Sequence, residues 1–237
     1  MRLLVTRPEP DATRTAERLR ERGHHVIVAP LLRVAEIGNV PLGEGPFAGL
    51  VLTSTNAIRA LEGHPRRPEL LALPVFTVGH RTAAAARAAG FADVMSADGN
   101  AAGLIRLLMM RLSAGATLLY VAGEDRAADL AGALSDVGIA VHTVVVYRAD
   151  MVAQLPETAR IALAQGMLDG VLHFSRRSAL AWLALVQPAG VTEPSGALTH
   201  FCLSGSIAGA LTQAGAMHVR IAVRPDENAL LDLIGEA

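Results

Sequence analysis

Two kinds of apolar pattern alternate along the chain. Compact blocks such as Leu3-Leu4-Val5, Leu50-Val51-Leu52 and Val171-Leu172 each give way to stretches in which apolar residues return every three or four positions, as at Ala12, Ala16 and Leu19 or at Leu130, Ala131 and Leu134. The first pattern reads as a buried strand and the second as an amphipathic helix. Strand followed by helix, many times over, predicts an α/β protein with parallel sheets covered on both faces.

The alternation is itself repeated. Arg2 to Arg33 aligns with Thr117 to Arg148 at an offset of 115 without a gap. Leu3, Leu4, Glu9, Ala12, Ala16, Leu19, Gly23, Val26 and Arg33 fall opposite Leu118, Leu119, Glu124, Ala127, Ala131, Leu134, Gly138, Val141 and Arg148. Each copy reads strand, turn, helix, glycine stop, strand, with Gly23 and Gly138 placed where a helix end favours positive φ. A second module, Gly49 to Ser54 leading into Ala57-Ile58, resembles Gly170 to Ser175 leading into Ala179-Leu180. A third, Val75 to Ala83 ending at Gly90, resembles His200 to Ala208 ending at Gly215. Short strands at Asp93–Met95 and His218–Val223 follow, each leading to a helix, Ala101–Leu112 and Asn228–Ile234. The module order is a-b-c-a′-b′-c′. Gly38 to Pro46 reads as a linker from its glycines and prolines, and Arg148 to Glu157 is a second candidate.

Composition narrows the function classes. Of 237 residues, 51% are apolar and 18% charged, enough apolar material for real cores. The net charge of −1 and an aromatic share of 3% leave neither a phosphate-neutralising surface nor stacking platforms, so no nucleic-acid partner is expected. Mean hydropathy is positive at +0.37. Even so, no apolar run nears the roughly 20 residues of a spanning helix, and the N-terminus lacks the pattern of an export signal. No membrane is expected, and a cytoplasmic location is. The one cysteine, Cys202, lies in an apolar run and reads as an inert buried thiol.

Ligands of open α/β sheets sit at the carboxyl ends of the strands. Here those ends read Thr6-Arg7-Pro8, Thr53-Ser54-Thr55-Asn56, Gly79-His80-Arg81-Thr82, Gly123-Glu124-Asp125-Arg126, Ser175-Arg176-Arg177-Ser178 and Ser204-Gly205-Ser206. Free N–H groups at helix starts, hydroxyls and forked arginine donors all suit carboxylates or phosphates. Ser and Thr at such positions also serve as plain helix N-caps. No phosphate loop, dinucleotide fingerprint, nucleophile elbow or metal-ligand spacing occurs, so neither a cofactor nor a metal is expected. His173 reads as a packed side chain, and His80, on a strand end, as the better general-acid candidate. Tyr147, one of two tyrosines, closes the second strand of module a′ with its hydroxyl at the rim.

Taken together, several segments resemble the uroporphyrinogen-III synthase family: the opening Leu-Val-Thr6-Arg7-Pro8, Thr53-Ser54-x-Asn56-Ala57, Val78-Gly79-x-x-Thr82-Ala83 with Gly90-Phe91, the strand ending Val-Tyr147-Arg148, and Phe174-Ser175 leading into Ser178-Ala179. The resemblance implies two similar parallel-sheet three-layer α/β domains, the second inserted in the first and joined to it by a two-strand β linker. Domain one would be 1–36 plus 151–237 and domain two 42–146, with linkers at 37–41 and 147–150. It implies a hydro-lyase that cyclises hydroxymethylbilane to uroporphyrinogen III, with inversion of ring D and loss of water, in heme biosynthesis. An acid assists departure of the substrate hydroxyl, and ring closure then passes through a spiro intermediate, steered by position and preset dipoles. Tyr147 matches the family's cleft tyrosine, a proton donor or water positioner. Ser54, Thr82 and Ser175 match cleft hydroxyls, Arg7 sits at the mouth of the first strand, and Asn56, Gly79, Arg176 and Ser204 complete the expected substrate contacts. Two departures stand out: Ser204-Gly205-Ser206-Ile207 lacks the usual threonine, and Arg176 replaces the common proline. No cofactor, a monomer, and at most a transient contact with hydroxymethylbilane synthase are implied. The competing reading is a two-lobed non-catalytic module, or an inactive paralogue, that closes on an anionic ligand.

Overall fold

The structure, a computed structural model, describes residues 1–97, 99–125, 129–191 and 197–236. Among them run, in chain order, β1 (Arg2–Val5), α1 (Asp11–Glu21), β2 (His25–Val28), β3 (Leu32–Glu36), β4 (Gly49–Leu52), α2 (Thr55–Glu62), α3 (Arg67–Leu70), β5 (Val75–Thr77), α4 (His80–Ala88), β6 (Val94–Ser96) and α5 (Ala101–Arg111). There follow β7 (Thr117–Gly123), α6 (Leu130–Ser135), β8 (Ala140–Met151), α7 (Glu157–Ala164), β9 (Gly170–His173), α8 (Arg176–Val186), β10 (Thr199–Cys202), α9 (Gly205–Gln213), β11 (Val219–Ile221) and α10 (Glu227–Ile234). The chain divides into two compact units, Met1–Arg33 with Asp150–Ala237, and Val34–Ala149.

The first unit holds a five-stranded sheet in the order β11-β10-β9-β1-β2, every pair parallel. The second holds the sheet β3-β8-β7-β4-β5-β6, parallel from β8 to β6. From either edge the same modules appear: c supplies two strands, b one, a two. Each sheet thus carries one copy of every repeat, with b′ and c′ beside a, and b and c beside a′. The α/β class expected from the alternation is what the chain adopts.

Shared packing explains part of the shared sequence. A Cβ on Gly49 would lie 2.7 Å from the Phe76 ring, and one on Gly170 would lie 2.6 Å from that of Phe201. Module b opens on glycine because the aromatic ring of module c lies over that position in both units. The helices of module a stop as the sequence predicts, with Gly23 at φ 85° and Gly138 at φ 73°. The central strands are apolar: Leu3, Leu4 and Val5 in one unit and Leu50, Val51 and Leu52 in the other are fully buried.

Residues 147–150, expected within a two-strand β linker, lie in β8, where the β-branched run Val144-Val145-Val146 continues into a paired strand. Ile37 N–H donates to Val146 O at 2.8 Å, and Val152 N–H to Leu31 O at 3.1 Å. The second expected linker, from Arg148, therefore shrinks to the residues between Met151 and Glu157. β11 ends at Ile221 rather than Val223, since Val223 is 87% exposed and so gains little from continuing the strand. Ala127 of the repeat alignment and Arg126 of the strand-end set lie outside the described residues.

In the first unit two buried histidines pack against each other. His173 and His200 are buried, with His173 Nε2 3.0 Å from His200 Nδ1, the rings stacked, and Trp182 edge-on to both. Among the described residues the buried His173 Nδ1 meets no hydrogen-bond partner. The pair is satisfied at lowest cost when His173 carries its proton on Nε2 and donates it to His200, because a bare lone pair is cheaper to bury than an unmet N–H. Burial pushes the Cys202 thiol up to about 12, so it stays an unreactive core side chain. Among the described residues no helix is long and apolar enough to cross a membrane.

Candidate functional site

In the second unit, β4, β5 and β7 run parallel, so their carboxyl ends and the helix starts that follow share one edge of the sheet. A cavity of about 420 Å³ opens there. Its polar lining is Thr53, Ser54, Asn100, Tyr120, Asp125 and Tyr147, set among Val78, Leu104 and Leu130. Both tyrosines of the chain meet in it.

Each tyrosine is paired with a hydroxyl from the end of β4. Tyr120 Oη lies 3.2 Å from Thr53 Oγ1. Tyr147 lines the cavity with Ser54, whose hydroxyl favours the ionised phenol. Ser54 is also the N-cap of α2, where its Oγ accepts from the Asn56 N–H at 3.2 Å. While its oxygen caps α2, the Ser54 hydroxyl keeps both a proton and a second lone pair to offer the Tyr147 phenol. Burial raises the Tyr147 phenol above its ordinary range. The Ser54 hydroxyl opposes this, and Tyr120 nearby adds to it. At neutral pH the group is a proton donor.

The other expected residues of this unit lie at the helix starts. The Asn56 side-chain oxygen accepts from Arg59 Nη1 at 3.0 Å. Gly79 is the N-cap of α4, and a Cβ there would meet nothing within 4 Å. Thr82 is buried in the first turn of α4, and His80 is exposed at its first residue. None of these four lines the cavity.

In the first unit, Ser175 caps α8, its Oγ accepting from the Ser178 N–H at 3.0 Å, and Arg176 is exposed at the first residue of that helix. Ser204 stands at the start of α9 with its Oγ 3.1 Å from Ser206 Oγ and makes no cap bond. Arg7 is held within the fold. Its guanidinium contacts Asp11 at 3.0 Å and Glu227 at 3.4 Å, donates to Thr15, and lies 4.1 Å above the Phe174 ring. Two carboxylates already neutralise it, so its charge braces α1 against α10.

Tyr120 and Asn100 belong to the cavity although no motif singled them out, and Thr53 and Asp125 join them from the strand-end runs. The Tyr120–Thr53 pair follows from the register Val51↔Tyr120, which brings adjacent strand ends together and is invisible before the strand order is known. Among the described residues no group of three or more His, Cys, Asp or Glu could hold a metal ion.

The fold is that of an α/β protein with a hydroxyl-lined cavity at the strand ends of its second unit. A family model described as "Uroporphyrinogen-III synthase HemD" matches residues 13–232. The chain belongs to the uroporphyrinogen-III synthase family, and so is an enzyme of porphyrin biosynthesis. Its fold is similar to that of uroporphyrinogen-III synthetase from Helicobacter pylori, with a TM-score of 0.65, 20% identity, and coverage of 99% of this chain and 98% of that one. It is also similar to a mutant uroporphyrinogen III synthase from Thermus thermophilus, with a TM-score of 0.53, 18% identity, and coverage of 99% and 96%. None of the curated proteins matches the chain in sequence.

Proposed function

We propose that the chain acts as a cyclising hydro-lyase that converts hydroxymethylbilane to uroporphyrinogen III, with Tyr147 as the proton donor. The observation that carries this reading is the cavity at the strand ends, where the Tyr147 phenol, kept protonated by burial, lies among Ser54, Thr53 and Tyr120. Loss of the substrate hydroxyl needs such a donor, and a positioned acid contributes roughly 10²–10⁴ in rate. No strong nucleophile is required, because the departing hydroxyl leaves an electrophile that the pyrrole attacks itself.

The polyacidic substrate also needs anchoring. Each unit offers carboxylates the same chemistry at its strand ends: helix-start N–H groups and hydroxyls at Ser54, Gly79 and Thr82 in one, and Ser175, Arg176 and Ser204 in the other. Holding the chain by its carboxylates keeps the substituted ring D carbon in reach, which is what separates the inverted product from spontaneous closure. We further propose a monomer that meets hydroxymethylbilane synthase at most transiently.

The test is a coupled assay. Hydroxymethylbilane is generated in situ, the protein is added, and the product isomers are separated after oxidation. The type III isomer is expected, and products containing the type I isomer alone would overturn the reading. Tyr147→Phe should cut kcat by about 10² with little change in melting temperature. Unaltered turnover would remove Tyr147 from the chemistry.

A further inference from the structure

The position of Tyr147 is set by its neighbour strand. From Thr117↔Ala140 to Ala122↔Val145, β7 and β8 pair one to one. The next pair is Gly123↔Tyr147, so Val146 is an extra residue on β8. A bulge of this kind re-aims the side chains that follow it. Before the bulge, Val144 faces the core that contains Leu119 and Val121, while Tyr120 and Ala122 face the opposite core. Unbroken alternation would send Tyr147 to the Tyr120 side. The extra residue instead puts both Val146 and Tyr147 against the Leu119–Val121 side, where Ser54 waits.

That turn works only because the facing residue has no side chain. A Cβ on Gly123 would lie 2.6 Å from Tyr147 Cε2 and Cζ and 2.8 Å from Oη. The φ of Gly123 is outside the positive range in which glycine is needed for the backbone, so its value here is space. We infer that Gly123, together with the Val146 bulge, is a positioning residue: it seats the Tyr147 ring against β7 and points the phenol at Ser54 and into the cavity. The inference rests on the reading of Tyr147 as the proton donor. Restoring ordinary contact at about 3.4–4 Å would move the ring by close to 1 Å, and a displacement of that size costs about 10² in rate.

The experiment is a double-mutant cycle on the full chain, with kcat, KM and melting temperature measured for wild type, Gly123→Ala, Tyr147→Phe and the pair. Gly123→Ala should lower kcat about as far as Tyr147→Phe does, with KM within about twofold. It should add nothing when Tyr147→Phe is already present, because both changes remove the same hydroxyl contact. Wild-type kcat in Gly123→Ala would overturn the inference. So would losses that simply multiply. If Gly123→Ala does not fold, Gly123→Ala/Tyr147→Ala removes the ring that the new methyl strikes and should fold. Failure of that variant too would mean the glycine serves something other than the ring, and the inference falls. The single change Tyr147→Phe tests the underlying reading separately: if it keeps full turnover, the proton-donor role fails whatever Gly123 does.

Discussion

The His173–His200 pair makes the first unit acid-labile by a calculable amount. Burial, with His218 nearby adding to it, holds His200 down to about 4. Burial, with His200 adding, holds His173 well below the ordinary imidazole range. Both groups are neutral in the native state and titrate near 6.5 once unfolded. Their contribution is therefore intact above about pH 6.5 and is lost as the pH falls toward 4, because only the unfolded chain takes up protons in that window. For His200 the gap is about 2.5 pH units, worth about 3 kcal/mol in full and about 2 kcal/mol of it already gone at pH 5. His173 adds in the same sense. The assay is urea unfolding at pH 7 and pH 5, followed by fluorescence of Trp182. It is the chain's only tryptophan and lies edge-on to both rings, so it reports this unit. Other histidines and carboxylates titrate as well, so the comparison is with His173→Leu/His200→Leu. The wild type should lose at least about 2 kcal/mol more than that variant between the two pH values. Equal losses would refute the reasoning.

Three further outcomes are expected. Ser54→Ala should cost about 1 kcal/mol as a lost helix cap and also lower kcat, since it removes the hydroxyl beside Tyr147 that favours its ionised form; tyrosine absorbance should show the Tyr147 phenol ionising at still higher pH. Ser175→Ala should cost a similar amount of stability for the lost cap and, as a substrate contact, weaken binding by about 1 kcal/mol; a KM equal to wild type would leave it a cap alone. Gly170→Ala should destabilise the first unit by about 1–3 kcal/mol, read as a lower urea midpoint, because its methyl would meet both the Phe201 ring and the Thr199 carbonyl.

How much of this was legible depended on the range of the physics involved. Strand–helix alternation and the glycine stops at Gly23 and Gly138 are local, and the sequence carries them openly. Ser54 and Tyr147 were found because a hydroxyl at a strand end is visible in the chain itself. The Tyr120–Thr53 pair and the bulge at Val146 depend on register between strands distant in sequence, which no local pattern encodes. Arg7 taught the opposite lesson. It stands at a strand end as expected, yet its partners Asp11 and Glu227 come from both ends of the chain, so its engagement within the fold could not be read from its neighbours. The reading of Arg148 to Glu157 from composition missed how far β8 runs, to Met151, because backbone pairing tolerates the charges of Arg148 and Asp150.

The exchange of module a has a consequence for how the protein is made on the ribosome. The unit spanning Val34–Ala149 is contiguous and can complete its sheet as soon as β8 emerges. β1 finds β2 early but must wait for β9 on its other side, since Leu3 pairs with Gly170. Until then that edge stays open and the apolar residues of β1 lack most of their core. Such long-range closure is slow and leaves sticky surface exposed to chaperones and to neighbouring nascent chains. Shortened translation products ending before Gly170 would carry a finished second unit attached to an N-terminal β1–α1–β2 fragment with no sheet to join.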